Sequence, residues 1–372
     1  MTLRNAYGIT SAARVEALRE HFLGDGVQAA ILSDVANMRY MTAFTSVFDP
    51  GIAACAVIGA DFARFYTDSR YIEAAQTAAA GSFWDVRLQR ESIFTDACED
   101  LKADGITEVC MESSVPHSRF VFVSERFEGR VVLCDQWVQG LREVKDADEL
   151  MWARRAATLT DDALDHVLGI IRPGMREIDV ALELEVYMRS NGSEGLAFEP
   201  IVASGPNSSK PHAGISLREI EPGDFLTMDL GARMGGYCAD LTRTVVVGAK
   251  ATPRQREIYD AVLAANEAGL AACRAGVEAR SVDAAARELL TARGFGEYFG
   301  HSLGHGVGLE VHENPRLAPK SDEILRTGQL VTIEPGVYLP GFGGVRIEDL
   351  VAVEEGGCAI LSHARKELIE IV

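Results

Sequence analysis

The sequence predicts an α+β protein in two parts. A smaller α/β domain covers residues 1–137, and a larger α+β domain built on an internal duplication covers residues 138–372. Three observations carry this. Strand and helix patterns alternate through the first part. The composition then turns charged and continuously helical near LREVKDADELMWARRAA, between 137 and 150. Beyond that junction, two segments recur at nearly one offset.

In the first domain ARVEALREHFL is amphipathic, and QAAILSD and AACAVIGAD read as strands. SRYIEAAQTAAA is helical, and WDVRLQ, ITEVCMES and GRVVLCD are further strands, with the helix TDACEDLKADG among them. No cluster of ligand-type residues falls here.

In the second domain, the segment from Arg172 to Gly192 matches the one from Arg274 to Gly294, an offset of 102. Each reads as a helix closed by glycine. The run from Gly223 through Thr227 and Asp229 to Gly231 matches Gly328 through Thr332 and Glu334 to Gly336, an offset of 105. A helix-plus-hairpin unit therefore occurs twice. Pseudo-two-fold folding would bring the hairpins, and their acids, together.

Hydrophobic residues make up 47% and charged residues 24%, ordinary for a globular enzyme. The net charge of −19 argues against nucleic acid or an anionic membrane surface as partner. No stretch approaches the roughly 20 apolar residues that span a bilayer. The opening MTLRNAYGITSAARVEALREHF has no apolar signal core. Seven scattered cysteines without a C-x-x-C pair read as buried thiols, with Cys238 set apart by its closeness to Asp240. A cytoplasmic protein is expected.

The chemistry sits in acids placed where strand residues should be apolar. Pairing the first hairpin about Met234–Gly235 puts Asp229 opposite Asp240. Directly opposed like charges are destabilising unless protonated or bridged by cations, and a pair of divalent ions is the natural occupant. In VTIEPGVYLPGFGGVRIEDLV, Glu334 and Glu348 repeat the arrangement about Gly341, with a less defined register. Neutral ligands are close by in GHSLGHGVGLEVHENP, where His301, His305 and His312 cluster; at least one is expected to bind metal. The spacing is not H-E-x-x-H, which excludes a zincin helix.

The segments MDLGARMGGYCADLTRT, GHSLGHGVGLEVHENP, TIEPGVY and GVRIEDL, preceded by FEPIVASGPNSSKPHAG, resemble the metal-dependent pita-bread peptidases. That family includes methionine aminopeptidase, aminopeptidase P and prolidase. The resemblance covers the whole second domain. The first domain resembles the N-terminal domain of the aminopeptidase P, prolidase and creatinase branch. The resemblance implies five metal ligands, Asp229, Asp240, His305, Glu334 and Glu348, holding two divalent ions. A hard, oxygen-rich set of this kind suits manganese and also accepts cobalt, iron or zinc. It further implies Glu334 as the proton carrier and His212 and His312 as stabilisers of the reacting carbonyl and leaving group. Without the resemblance His212 is only a loop histidine beside Pro211.

The branch implies cleavage of Xaa-Pro bonds in short proline-containing peptides, and a homodimer. His301, Arg316 and Arg346 form the expected substrate-binding set. Arg346, two residues before Glu348, is also suited to orienting a carboxylate. Arg316 occupies a position that resembles the arginine clamping the substrate carboxylate in prolidases, which favours a dipeptidase. An aminopeptidase P acting on longer peptides is the alternative. A creatinase-like hydrolase or a peptide-binding module without turnover is disfavoured by the complete ligand set.

Overall fold

The computed structural model describes the backbone of residues 3–44, 47–48, 52–134 and 136–372, and side chains from residue 11 within those ranges. The chain divides into two compact units, Met1–Arg142 and Glu143–Val372. The division at Arg142 lies within the junction at 137–150, and the helix Trp137–Arg142 is tied into the first unit. There Tyr40 donates its hydroxyl to Leu141 O at 3.0 Å, and Arg142 Nη1 donates to Asn37 Oδ1 at 2.8 Å.

The first unit is a six-stranded mixed sheet in the order Asp85–Leu88, Ala63–Thr67, Ala54–Gly59, Ala29–Leu32, Glu108–Glu112 and Arg130–Cys134. Ala54–Gly59 runs antiparallel to both of its neighbours, and the remaining pairs are parallel. Ile31, Val57, Val109 and Met111 form its buried centre. The strand Ala63–Thr67 and the helix Val35–Thr42 are additions to the elements read from sequence.

The second unit repeats itself. A long helix, Ala147–Leu168, precedes the helix Glu177–Ser190; in the second half Pro253–Ala272 precedes Ala279–Ala292. Each half packs these helices against its own sheet over its own apolar core. The first sheet runs Glu370–Ile371, Leu241–Val247, Asp224–Leu230 and Ile201–Ser204. The second runs Glu313–Leu317, Gly304–Gly306, Leu330–Ile333, Asp349–Val353 and Cys358–Ile360. This duplicated α+β arrangement is the pita-bread fold. Among the described residues no helix is long and apolar enough to cross a membrane.

Both hairpins reach the junction of the sheets; the first differs in register from expectation, and the second agrees with it. The first pairs Asp229 with Thr242, not with Asp240. Its turn is Gly235–Gly236, one residue later than anticipated, because a two-residue type I′ turn needs positive φ at both central positions; they have φ 58° and 86°. Asp240 then lies diagonal to Asp229, still on the same face. The second hairpin pairs Ile333 with Asp349 and Gly336 with Arg346. Continuous counting across that gap sets Glu334 directly opposite Glu348, about Gly341.

Candidate metal centre

A cavity of about 500 Å³ opens at this junction, and all ten of the residues singled out from sequence line it. Asp240, His305 and Glu348 each present a ligand atom within 4.8 Å of the others. His305 Nε2 lies 3.6 Å from Asp240 Oδ2 and 3.3 Å from Glu334 Oε1. Asp229 stands one step aside, its Oδ2 accepting from Arg346 Nη2 at 2.7 Å.

Local structure explains how such acids are held. The Thr242 hydroxyl donates to Glu348 Oε2 at 2.7 Å, and the Thr332 hydroxyl to Glu334 Oε1 at 3.2 Å. The backbone N–H groups of the two glutamates leave their own hairpin: Glu334 N donates to Leu303 O, and Glu348 N to Thr242 O. The second bond joins the two halves. Gly231 faces Asp240 in register, and a Cβ there would come within 2.0 Å of Ala239 O. Only glycine lets the strands close beside that carboxylate.

The electrostatics are severe. Burial, then the charges of Glu348, Asp229 and Glu334, push Asp240 well above the usual carboxylate range. Burial, then Glu334 and Asp229, do the same to Glu348. Burial together with Asp229 pushes Glu334 up to about 8, against the lowering influence of Arg346. Burial lowers His305 to about 4, which keeps its imidazole neutral and able to ligate.

Arg346 is 3% exposed, and protein acceptors take up its guanidinium. Nε donates to Thr242 Oγ1, Nη1 to Pro211 O and Tyr338 Oη, and Nη2 to Asp229. These bonds place it against a carboxylate and against the loop beside His212. His301 is similarly engaged: Nδ1 meets Ser302 O at 2.8 Å and Nε2 meets Tyr338 Oη at 2.9 Å. His212 and His312 are exposed at the cavity wall, and the ring of His312 stands 4.3 Å from that of His305. The Arg316 guanidinium makes no hydrogen bond or ion pair with the described residues. Cys238 is buried with Sγ towards Leu309 O and is not among the cavity's lining residues.

Tyr338, Thr242 and Thr332 were not anticipated as parts of the site. A usable signal existed for Tyr338, since a tyrosine in a buried strand needs a partner for its hydroxyl. Thr242 carried none, because its partner Glu348 is 106 positions away, whereas Thr332 stands only two residues before its partner Glu334.

Residues 152–355 match the family model described as metallopeptidase family M24, and residues 14–144 match the creatinase/prolidase N-terminal domain. The chain belongs to metallopeptidase family M24. An M24 relative in Bacillus subtilis, an uncharacterised peptidase, is 40% identical over 358 residues, 96% of this chain and 99% of that protein. The structure of an Xaa-Pro dipeptidase from Bacillus anthracis superposes with a TM-score of 0.92 at 39% identity, covering 97% of this chain and 100% of that one. An X-Pro aminopeptidase from Thermotoga maritima superposes at 0.87 with 34% identity, over 96% and 100% of the respective chains.

M24 membership implies divalent metal ions, and the residues present fit them. Asp229 Oδ1 is buried with no hydrogen-bond partner among the described residues, an expensive orphan unless a cation meets it. Asp240, Glu334 and Glu348 crowd together with Arg346 as the arginine that faces them, and that arginine is bonded to Asp229. One imidazole among carboxylates is a donor set for hard or borderline ions.

Proposed function

We propose that this metallopeptidase is a two-metal Xaa-Pro dipeptidase. The observation that carries the reading is the guanidinium of Arg316, which has no hydrogen-bond or ion-pair partner among the described residues, in a cavity whose other arginine, Arg346, is taken up by protein acceptors. A free fork of donors suits the carboxylate that a dipeptide presents on its proline and a longer peptide does not. The similarity to the Xaa-Pro dipeptidase of Bacillus anthracis supports the same substrate class.

Asp229, Asp240, His305, Glu334 and Glu348 would hold the ions, with manganese the expected metal. Bound there, the ions would lower the pKa of water and polarise the scissile carbonyl. The residues supply the rest. Glu334 Oε1, held by Thr332, carries a proton from the attacking water to the proline nitrogen as the C–N bond breaks. His212 and His312, on the cavity wall, donate to the carbonyl oxygen and steady the leaving imide nitrogen. Arg346 keeps Asp229 oriented without touching substrate.

The Thermotoga maritima structure favours a second reading, an aminopeptidase acting on longer peptides. Hydrolysis of Ala-Pro beside Ala-Pro-Ala by manganese-loaded enzyme, with a chelated control, separates the two. Chelator-sensitive cleavage of the dipeptide alone is expected. Preference for the tripeptide would make the enzyme an aminopeptidase, and cleavage of neither would refute both.

A further inference from the structure

Asn266, which does not line the cavity, sits fully buried in the long helix Pro253–Ala272. Its amide Nδ2 donates twice, to Ile333 O at 3.0 Å and to Ile347 O at 3.3 Å. Those carbonyls belong to the residues immediately before Glu334 and Glu348. One NH₂ group thus ties together the two strands at the point where their glutamates leave the ladder. The acceptor end of the same amide is held in turn, since Lys366 Nζ donates to Asn266 Oδ1 at 3.2 Å and to Asp349 Oδ2 at 2.7 Å. The buried Arg243 completes the frame, donating to Asp349 Oδ1 at 2.8 Å and to Glu348 O.

We infer that Asn266 is a positioning residue that sets the spacing of Glu334 and Glu348 for divalent cations, with Lys366 fixing its orientation. The inference rests on the metal reading of the site. Two opposed glutamates repel and tend to push their strands apart, so the ladder needs a tie that is not itself charged. An amide is suited to this: it offers two donors in one plane and adds no charge to an already negative cluster. The duplicated half has a counterpart. Thr160, in the long helix Ala147–Leu168, is also fully buried, and its hydroxyl accepts from Ala232 N at 2.9 Å. Each long helix therefore uses a buried polar side chain to pin its own hairpin.

The test is Mn²⁺ titration of the metal-free full-length protein, followed by calorimetry, beside the melting temperature of each metal-free variant. Asn266→Asp keeps the acceptor for Lys366 and turns an oxygen towards the two carbonyls. It is expected to weaken Mn²⁺ binding roughly 10- to 100-fold, the usual effect of losing a group that supports metal ligands. Lys366→Arg should retain wild-type affinity within about threefold, because the positive donor to Asn266 survives. Wild-type affinity in Asn266→Asp, whatever its melting temperature, would overturn the inference, since a merely structural role moves stability alone. If Asn266→Asp does not fold, Lys366→Gln decides: lower affinity supports the inference and unchanged affinity overturns it. A wild-type protein that takes up no Mn²⁺ would sink the metal reading, and the inference with it. That result is distinct because the wild type alone delivers it.

Discussion

Arg316 is the cross-strand partner of His305: the strands Gly304–Gly306 and Glu313–Leu317 pair antiparallel with these two residues in register. Directly opposed residues share a face of the sheet. The guanidinium therefore emerges on the side of the sheet where His305 meets Asp240 and Glu334. A substrate carboxylate held by Arg316 would lie a fixed distance from the reacting bond, a ruler for dipeptides. Arg316→Ala should raise KM for Ala-Pro by about tenfold or more, as loss of a charge-assisted hydrogen bond implies, with little effect on Ala-Pro-Ala. Steady-state kinetics on both peptides checks this, and equal effects would return Arg316 to the surface.

Glu334 has two duties in the proposed mechanism, and they can be separated. Glu334→Gln keeps an oxygen for a cation but cannot carry a proton. Turnover should fall by roughly 10²- to 10⁴-fold. Metal content, read by elemental analysis, should stay near that of the wild type. An active variant would remove Glu334 from its role as base.

Arg346 neutralises Asp229 inside the protein. Arg346→Met leaves that carboxylate buried and unpaired, and breaking a buried pair in this way costs about 3–5 kcal/mol. Urea melts of the metal-free proteins measure the loss. A variant with unchanged stability would show that the pair contributes nothing to the apo fold.

Metal removal should leave a pH signature. Glu334 rises from an ordinary 4.5 to about 8 in the folded protein, and Asp240 and Glu348 also move up. Groups with raised folded values contribute stability that is present at low pH and lost as pH climbs towards those values. His305 and His301, lowered from 6.5 to about 4, act in the opposite sense, but only below their unfolded value. Between about pH 6.5 and 8 the histidines no longer contribute, and the raised carboxylates set the trend. Chelated protein should melt at steadily lower temperature across that window, while manganese-loaded protein should not. A chelated protein that gained stability with rising pH would contradict the cluster described here.

Both hairpins, the duplication and the carboxylates within the strands were legible, because strand alternation and glycine turns are local signals. Local signals also limit what can be read. The first hairpin was centred one residue early, since only its backbone φ angles show that Gly235 and Gly236 together make the turn. The second was centred correctly because the three-residue turn at 340–342, between Leu339 and Gly343, has Gly341 as its obvious midpoint.

What the sequence by itself determined is the inventory: a two-part α+β chain, a repeated helix-and-hairpin unit, and ten residues that prove to line one cavity. Their alternation and repetition are periodic patterns, carried by near neighbours in the chain. Tertiary structure alone decided how those residues divide their work. Arg346 reaches Asp229, 117 positions away; Asn266 ties carbonyls 67 and 81 positions away; Thr242 holds Glu348 across 106. The first and third of these bonds exist only after the two halves have packed, the second only after a helix has packed on its own hairpin, and no residue's neighbours in sequence encode which buried partner it will meet.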